Sequence, residues 1–120
     1  MIANSSFPEV FQHLRAILQP YAKSLTVTID TAEGYSLDGP YSEKWKKPLF
    51  FGSTVIKKNY VSFYLMPVYM YPDLLKGMSP ALKKHMQGKS CFNFKKVEPG
   101  LFDELKKLTR KGSERFQKEG

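Results

Sequence analysis

The sequence is poor in the residues that staple, ligate or catalyse. Its 120 residues include one cysteine, Cys91, and two histidines, His13 and His85. A single cysteine excludes an internal disulfide and a cysteine-based zinc site, and it suits a reducing cytoplasm. Two histidines make no zinc site without carboxylate help. No apolar run approaches the ~20 residues of a membrane span; the longest, Phe63–Tyr71, is interrupted by Pro67. Met1–Ser6 lacks the basic and apolar regions of a signal peptide. No HExxH, G-x-S-x-G or phosphate-loop glycine pattern occurs, so the expectation is a protein that is not an enzyme. Cys91, between Ser90 and Phe92, has the setting of a small buried apolar residue, with Lys89 as the one nearby cation able to lower its pKa.

Acidic residues are also scarce: 11 against 19 basic ones, a net charge of +8. The excess is uneven. Residues 1–75 carry 7 basic and 6 acidic residues, or +1, and residues 76–120 carry 12 and 5, or +7. A positive half favours anionic partners such as nucleic acid or phosphates. The composition tempers this, since only Arg15, Arg110 and Arg115 are arginines. Specific phosphate or base recognition prefers the arginine fork, whereas lysines also serve as a solvated, solubilising surface.

What the chain has is aromatic and β-branched sequence at its centre. Leu49–Ile56 and Tyr60–Met66 read as two strands joined by Lys57-Lys58-Asn59. In the second strand Val61, Phe63 and Leu65 form an apolar face that asks for helices. Tyr60, Ser62, Tyr64 and Met66 form the other face, which is partly polar. Residues 6–23 have helical spacing: Phe7, Val10, Phe11, Leu14, Ile17, Leu18 and Tyr21 share a face, Ser6 is placed to cap, and Pro20 predicts a kink or end near Gln19. His13 lies off this stripe and is expected at the surface.

Leu25–Thr31 alternates apolar and hydroxyl residues and predicts a half-buried strand. Ala32–Pro48 is rich in turn formers and is expected to be a long loop bearing Tyr35, Tyr41, Trp45 and lysines. Asp73–Met78 predicts a turn or two of helix ended by Gly77. A short helix follows from Ser79-Pro80 to about Met86, with His85 at its end favoured by the helix dipole. Ser90–Lys95 predicts a strand with Phe92 and Phe94 on one face. Pro99–Lys118 predicts a helix with Leu101, Phe102, Leu105, Leu108 and Phe116 buried, weakened at Gly112 so that its last turns fray. The order gives one α+β domain over residues 1–120: an antiparallel sheet with the N- and C-terminal helices packed on one face.

The segments KPLFFG (Lys47–Gly52), YVSFYLMPVY (Tyr60–Tyr69) and GKSCFNFKK (Gly88–Lys96) resemble the YdhG-like domain family. The resemblance covers most of the chain, from about Leu14 to Phe116. It implies a frataxin-like layering of terminal helices on one side of an antiparallel sheet. One branch of that family is described as an intracellular iron chaperone, which implies a link to iron handling. A hard cation takes carboxylate oxygens, and the candidates are Glu9, Asp30, Glu33, Asp38 and Glu43.

The functional expectation is a cytoplasmic binding or chaperone-like domain; the alternative is a basic module for nucleic acid or a phosphate ligand. The candidate site lies between the Tyr60/Tyr64/Met66 face and the Ala32–Pro48 loop. Trp45 and Tyr64 would be its walls, Lys47 or Lys89 its charged anchor, and Tyr41 and Cys91 its neighbours. The same aromatic face is a candidate homodimer interface. Neither a cofactor nor a metal is identified from these residues.

Overall fold

A computed structural model gives the structure of the protein over residues 7–119, with side chains described as far as Gln117. The Ser6 cap, the N-terminal stretch Met1–Ser6 and the side chain of Lys118 lie outside the described residues. Helix α1 (Phe7–Leu18) runs into a 3-10 turn over Gln19–Lys23, with Pro20 at its second position, where the proline disfavours a continued α-helix. The strands are β1 (Thr26–Asp30), β2 (Gly34–Ser42), β3 (Lys47–Ile56), β4 (Val61–Leu65), β5 (Met86–Gln87) and β6 (Cys91–Phe94). Between β4 and β5 lie α2 (Met66–Met70), a 3-10 turn (Pro72–Leu75) and α3 (Pro80–Lys83), and the chain closes with α4 (Pro99–Glu119). The strands make one antiparallel sheet in the order β1-β2-β3-β4-β6-β5.

The two long helices cover one face of this sheet. Val10, Phe11, Leu14 and Leu18 of α1 are fully buried, as are Phe51, Val61, Phe63, Leu65, Phe92 and Phe94 beneath the helices. Each such side chain contributes about 1.5–3 kcal/mol on burial. Aromatic pairs fix α4 across the sheet. Phe102 meets Phe94 of β6 edge-on at 4.9 Å, and Phe116 meets Phe51 of β3 edge-on at 5.3 Å. The buried face of α4 also includes Thr109, Gly112 and Ser113. The helix runs through Gly112 to Glu119 with Phe116 buried, and the glycine is the point where α2 packs.

The central hairpin forms as its alternation predicts, with Lys57 donating its backbone N–H to the Tyr60 carbonyl at 2.8 Å across the turn. At Phe51 the ladder between β2 and β3 skips a residue, since Leu37 faces Gly52 while Asp38 faces Phe50. This bulge lets the adjacent residues Phe51 and Gly52 both face the helices. Gly52 leaves room for them: a Cβ there would stand 3.2 Å from Leu18.

Four expectations are corrected. Residues 34–42 are a strand, not part of a loop. Tyr35 and Leu37 are buried on the helix side and alternate with Ser36 and Asp38, and Pro40 is tolerated because the ladder is interrupted between Asp38 and Tyr41. β1 is exposed along its whole length, with Val27 41% and Ile29 49% accessible. It is an edge strand outside the footprint of the long helices, tied to α1 by the Arg15–Asp30 ion pair at 2.9 Å. Met66 opens α2 instead of ending β4, since Pro67 supplies a helix-compatible φ at the first turn. The helix begun at Ser79 ends at Lys83. Its cap is as expected, with Ser79 Oγ accepting the Leu82 N–H at 3.1 Å, but Met86–Gln87 pairs with β6 and leaves the helix short.

Candidate functional site

Three segments meet at one end of the sheet. The β2–β3 turn carries Lys44 and Trp45, α2 and its exit carry Tyr69, Tyr71 and Pro72, and the β5–β6 turn carries Lys89; together they line a cleft of about 420 Å³. The turn is built tightly. Lys46 donates its backbone N–H to the Ser42 carbonyl at 2.7 Å, the Trp45 N–H reaches Ser42 Oγ at 3.3 Å, and Lys46 adopts a left-handed φ of 61°. Trp45 in this turn is 51% exposed, and Tyr69 across the cleft is 55% exposed. The Lys44 ammonium stands 5.6 Å from the centre of the Trp45 ring. Such an exposed cation–π contact is worth about 0.5–1 kcal/mol, little enough for a ligand to displace it. Tyr71 is held in place by the Arg115 guanidinium over its ring at 4.5 Å, and Arg115 also binds Asp73 at 3.0 Å. That contact holds the Asp73 carboxyl below its usual range, the hydrogen bond from Arg115 being the largest cause.

The cleft lining contains no carboxylate, and among the described residues neither Lys44 nor Lys89 has an acidic partner. A second cleft, of about 290 Å³, lies under Phe116, Leu49 and Pro40 and has no charged side chain in its wall, so it offers shape but no anchor.

The expected site residues therefore divide. Trp45 and Lys89 come together in the cleft. Tyr64 and Cys91 are directly opposed on β4 and β6, on the sheet face away from the helices. Tyr41 and Lys47 sit at the turn end of the β2–β3 hairpin, opposite Pro48 and Ser42 respectively. The partners of Trp45 are Tyr69 and Tyr71, not Tyr64. Sequence reasoning passed over these two because the aromatic stretch Pro67–Pro72 carries no strand or helix periodicity; their spacing from two prolines was the only signal.

Cys91 is part of a polar network. Its thiol and the Ser62 hydroxyl both donate to Asn93 Oδ1, at 3.3 and 2.8 Å, while Asn93 Nδ2 donates to Gln87 Oε1 at 2.6 Å. Burial pushes the thiol pKa up, outweighing hydrogen bonds from Ser62 and Tyr64 and the charge of Lys57. The net direction is upward, so the surroundings do not activate this thiol.

His85 is occupied structurally. It stacks on Phe94 at 4.5 Å, its Nδ1 lies 2.8 Å from the Asn93 carbonyl, and its Nε2 lies 3.2 Å from Glu98. α3 stops before it, so these contacts and not a helix terminus explain its position. His13 is exposed, as expected.

No family model, curated protein or solved structure matches this chain. Among the described residues no three His, Cys, Asp or Glu side chains gather as a metal site. Glu33, Asp38 and Glu43 are spread along β2 and its two ends, a span of roughly 30 Å in extended chain. Asp30, Asp73, Glu98 and Asp103 each face a basic side chain, and Glu104 accepts from the Ser79 backbone and hydroxyl at 2.8 and 2.7 Å. Among the described residues no helix is long and apolar enough to cross a membrane.

Proposed function

We propose that this protein is a non-enzymatic binding domain that takes a planar, negatively charged ligand of the nucleotide class in the Trp45 cleft. The observation that carries this reading is the pairing, in one carboxylate-free cleft, of the exposed Trp45 and Tyr69 rings with Lys44 and Lys89. Flat rings offer stacking to a base or similar heterocycle, and ammonium groups offer point charges to phosphate. The +8 net charge adds long-range attraction for an anion. The α+β layering supports including the YdhG-like family in this proposal, and the lone thiol supports a reducing, intracellular setting. The iron-handling branch gains no such support, because its carboxylates are dispersed or engaged.

Trp45 is the only tryptophan, so its fluorescence reports on the cleft alone. Adenosine monophosphate, titrated at low ionic strength, is expected to quench it saturably. The Lys89→Ala change should weaken binding ~3- to 10-fold, the size of one exposed charge-assisted contact. Unchanged fluorescence and no heat of binding at millimolar nucleotide would reject the assignment.

A further inference from the structure

The sheet face away from the long helices carries the half-buried Phe50, Tyr64, Cys91 and Asn93, with Ser53 and Ser62 buried between them, and it approaches the cleft where β6 follows Lys89. The register settles which residues share it. Val61, Phe63 and Leu65 face the helices, so Ser62 and Tyr64 face outward, and their partners Ser53, Val55, Cys91 and Asn93 lie beside them. Phe50 lies between the inward-facing Leu49 and Phe51 and so points outward, half-buried, at the cleft end of β3. Tyr41 pairs with Pro48 on the same side and is 57% exposed. Tyr64 opposes Cys91, and Lys89, two residues before Cys91, is in the cleft wall.

The charges on this path are cationic at both ends. Lys44 and Lys89 stand at the cleft, and Lys57 directly follows Ile56, the end of β3, whose partner Val61 is three residues from Tyr64 along β4. The carboxylates near the path are the half-buried Asp38, on the outward side of β2, Glu43, in the turn beside Lys44, and Glu33, whose backbone carbonyl accepts the N–H of Ile56 beside Lys57. A small nucleotide would use only the cleft. It would leave the outward rings of Tyr41, Phe50 and Tyr64, and the cation beyond them, without a role.

Resting on the cleft reading above, we propose that the ligand is a single-stranded nucleic acid, which places one base against Trp45 and continues across the outward sheet face past Phe50 and Tyr64 toward Lys57. Stacking platforms flanked by lysines bind single strands with little sequence preference, because every base has a π-face and every nucleotide a phosphate. A duplex keeps its bases stacked inside and offers these rings nothing.

The test measures binding of a fluorescently labelled ten-residue oligothymidylate, by anisotropy, beside thymidine monophosphate, by Trp45 quenching. The oligomer is expected to bind at least about tenfold more tightly than the mononucleotide and than a duplex of equal length. Its affinity should fall with salt on a log–log slope of about −2 to −3, as expected for three or four phosphate contacts on a single strand. Tyr64→Ala and the more exposed Tyr41→Ala should each weaken the oligomer severalfold and leave the mononucleotide unchanged. The second variant keeps the test decisive if the first perturbs the sheet.

An oligomer that binds no better than the mononucleotide overturns the proposal. So does a salt-sensitive affinity that neither tyrosine change alters, which is plain polyanion attraction. A dimer that buries this face and does not dissociate when oligonucleotide is added also overturns it. Failure of the mononucleotide alone, with tyrosine-dependent oligomer binding intact, removes the cleft assignment and leaves the sheet path standing.

Discussion

Gly112 of α4 faces the ring of Pro67 so closely that a Cβ on residue 112 would stand 3.0 Å from the Pro67 Cβ. Pro67 lies in the first turn of α2, the element that carries Tyr69 into the cleft, so the position of one wall depends on the absence of a side chain on the opposite helix.

Gly112→Ala separates helix propensity from packing. On an open helix face the change stabilises by about 1 kcal/mol. Here the methyl meets a rigid pyrrolidine ring, and overpacking costs about 1–3 kcal/mol. The expected net effect is a destabilisation of about 1 kcal/mol by urea titration. Gly100→Ala is the control: no atom lies within 4 Å of its added Cβ, so it should be neutral or stabilising. Equal gains from both changes would show that α2 and α4 do not touch at this point.

The β2–β3 turn holds Lys46 at φ 61°, a left-handed conformation that costs a side-chain-bearing residue about 1–2 kcal/mol. Glycine avoids that cost but loses more chain entropy on folding, about 0.5–1 kcal/mol. Lys46→Gly should therefore raise stability by roughly 0.5–1 kcal/mol, seen as a higher thermal midpoint, while Trp45 keeps its emission spectrum. A lower midpoint would mean that the turn is not left-handed at this residue.

Asp73 and Arg115 give a pH signature. The Asp73 carboxyl is depressed, chiefly by the Arg115 hydrogen bond, so its contribution is complete above the ordinary aspartate value of about 3.9 and is lost as pH falls through the depressed folded value. Asp73→Asn should therefore lower the thermal midpoint at pH 6, and the gap from the unmodified protein should close as the pH is taken below about 4. A gap that stays constant down to pH 2.5 would show that this pair does not set the acid limb.

Cys91 should be a slow nucleophile. Burial raises its pKa, so the thiolate fraction at pH 8 is smaller than that of a free thiol. Alkylation by iodoacetamide is expected to run severalfold slower in the folded protein than in the same protein unfolded in urea. A rate as fast as, or faster than, that of the unfolded chain would restore a reactive role.

Much of the fold was legible because its elements obey local periodicity. The three- and four-residue spacing of Phe7 through Leu18 and the alternation of Val61, Phe63 and Leu65 each predicted a buried face, and all six of those helix positions and all three strand positions are buried. Periodicity fails where one residue type serves two purposes. Gly39-Pro40 reads as a turn, yet it lies within β2. A Cβ at Gly39 would stand 2.6 Å from Phe116, so the glycine is there to admit a ring from a helix 77 residues later in the chain. Gly112 likewise signals a weak helix locally and serves as a packing contact in three dimensions.

The candidate site shows the same division. Trp45 and Lys89 were visible as an exposed aromatic and a loose cation, but their neighbours Tyr69 and Tyr71 come from a segment whose local pattern says little. Sequence alone determined the two helices, the central hairpin and the excess of positive charge, because burial along a single element leaves its period in the chain. Only the tertiary structure decided that the β2–β3 turn, α2 and the β5–β6 turn converge on one cleft. That convergence depends on strand order and register, which arise from contacts between residues far apart in sequence and leave no periodic trace in any one segment.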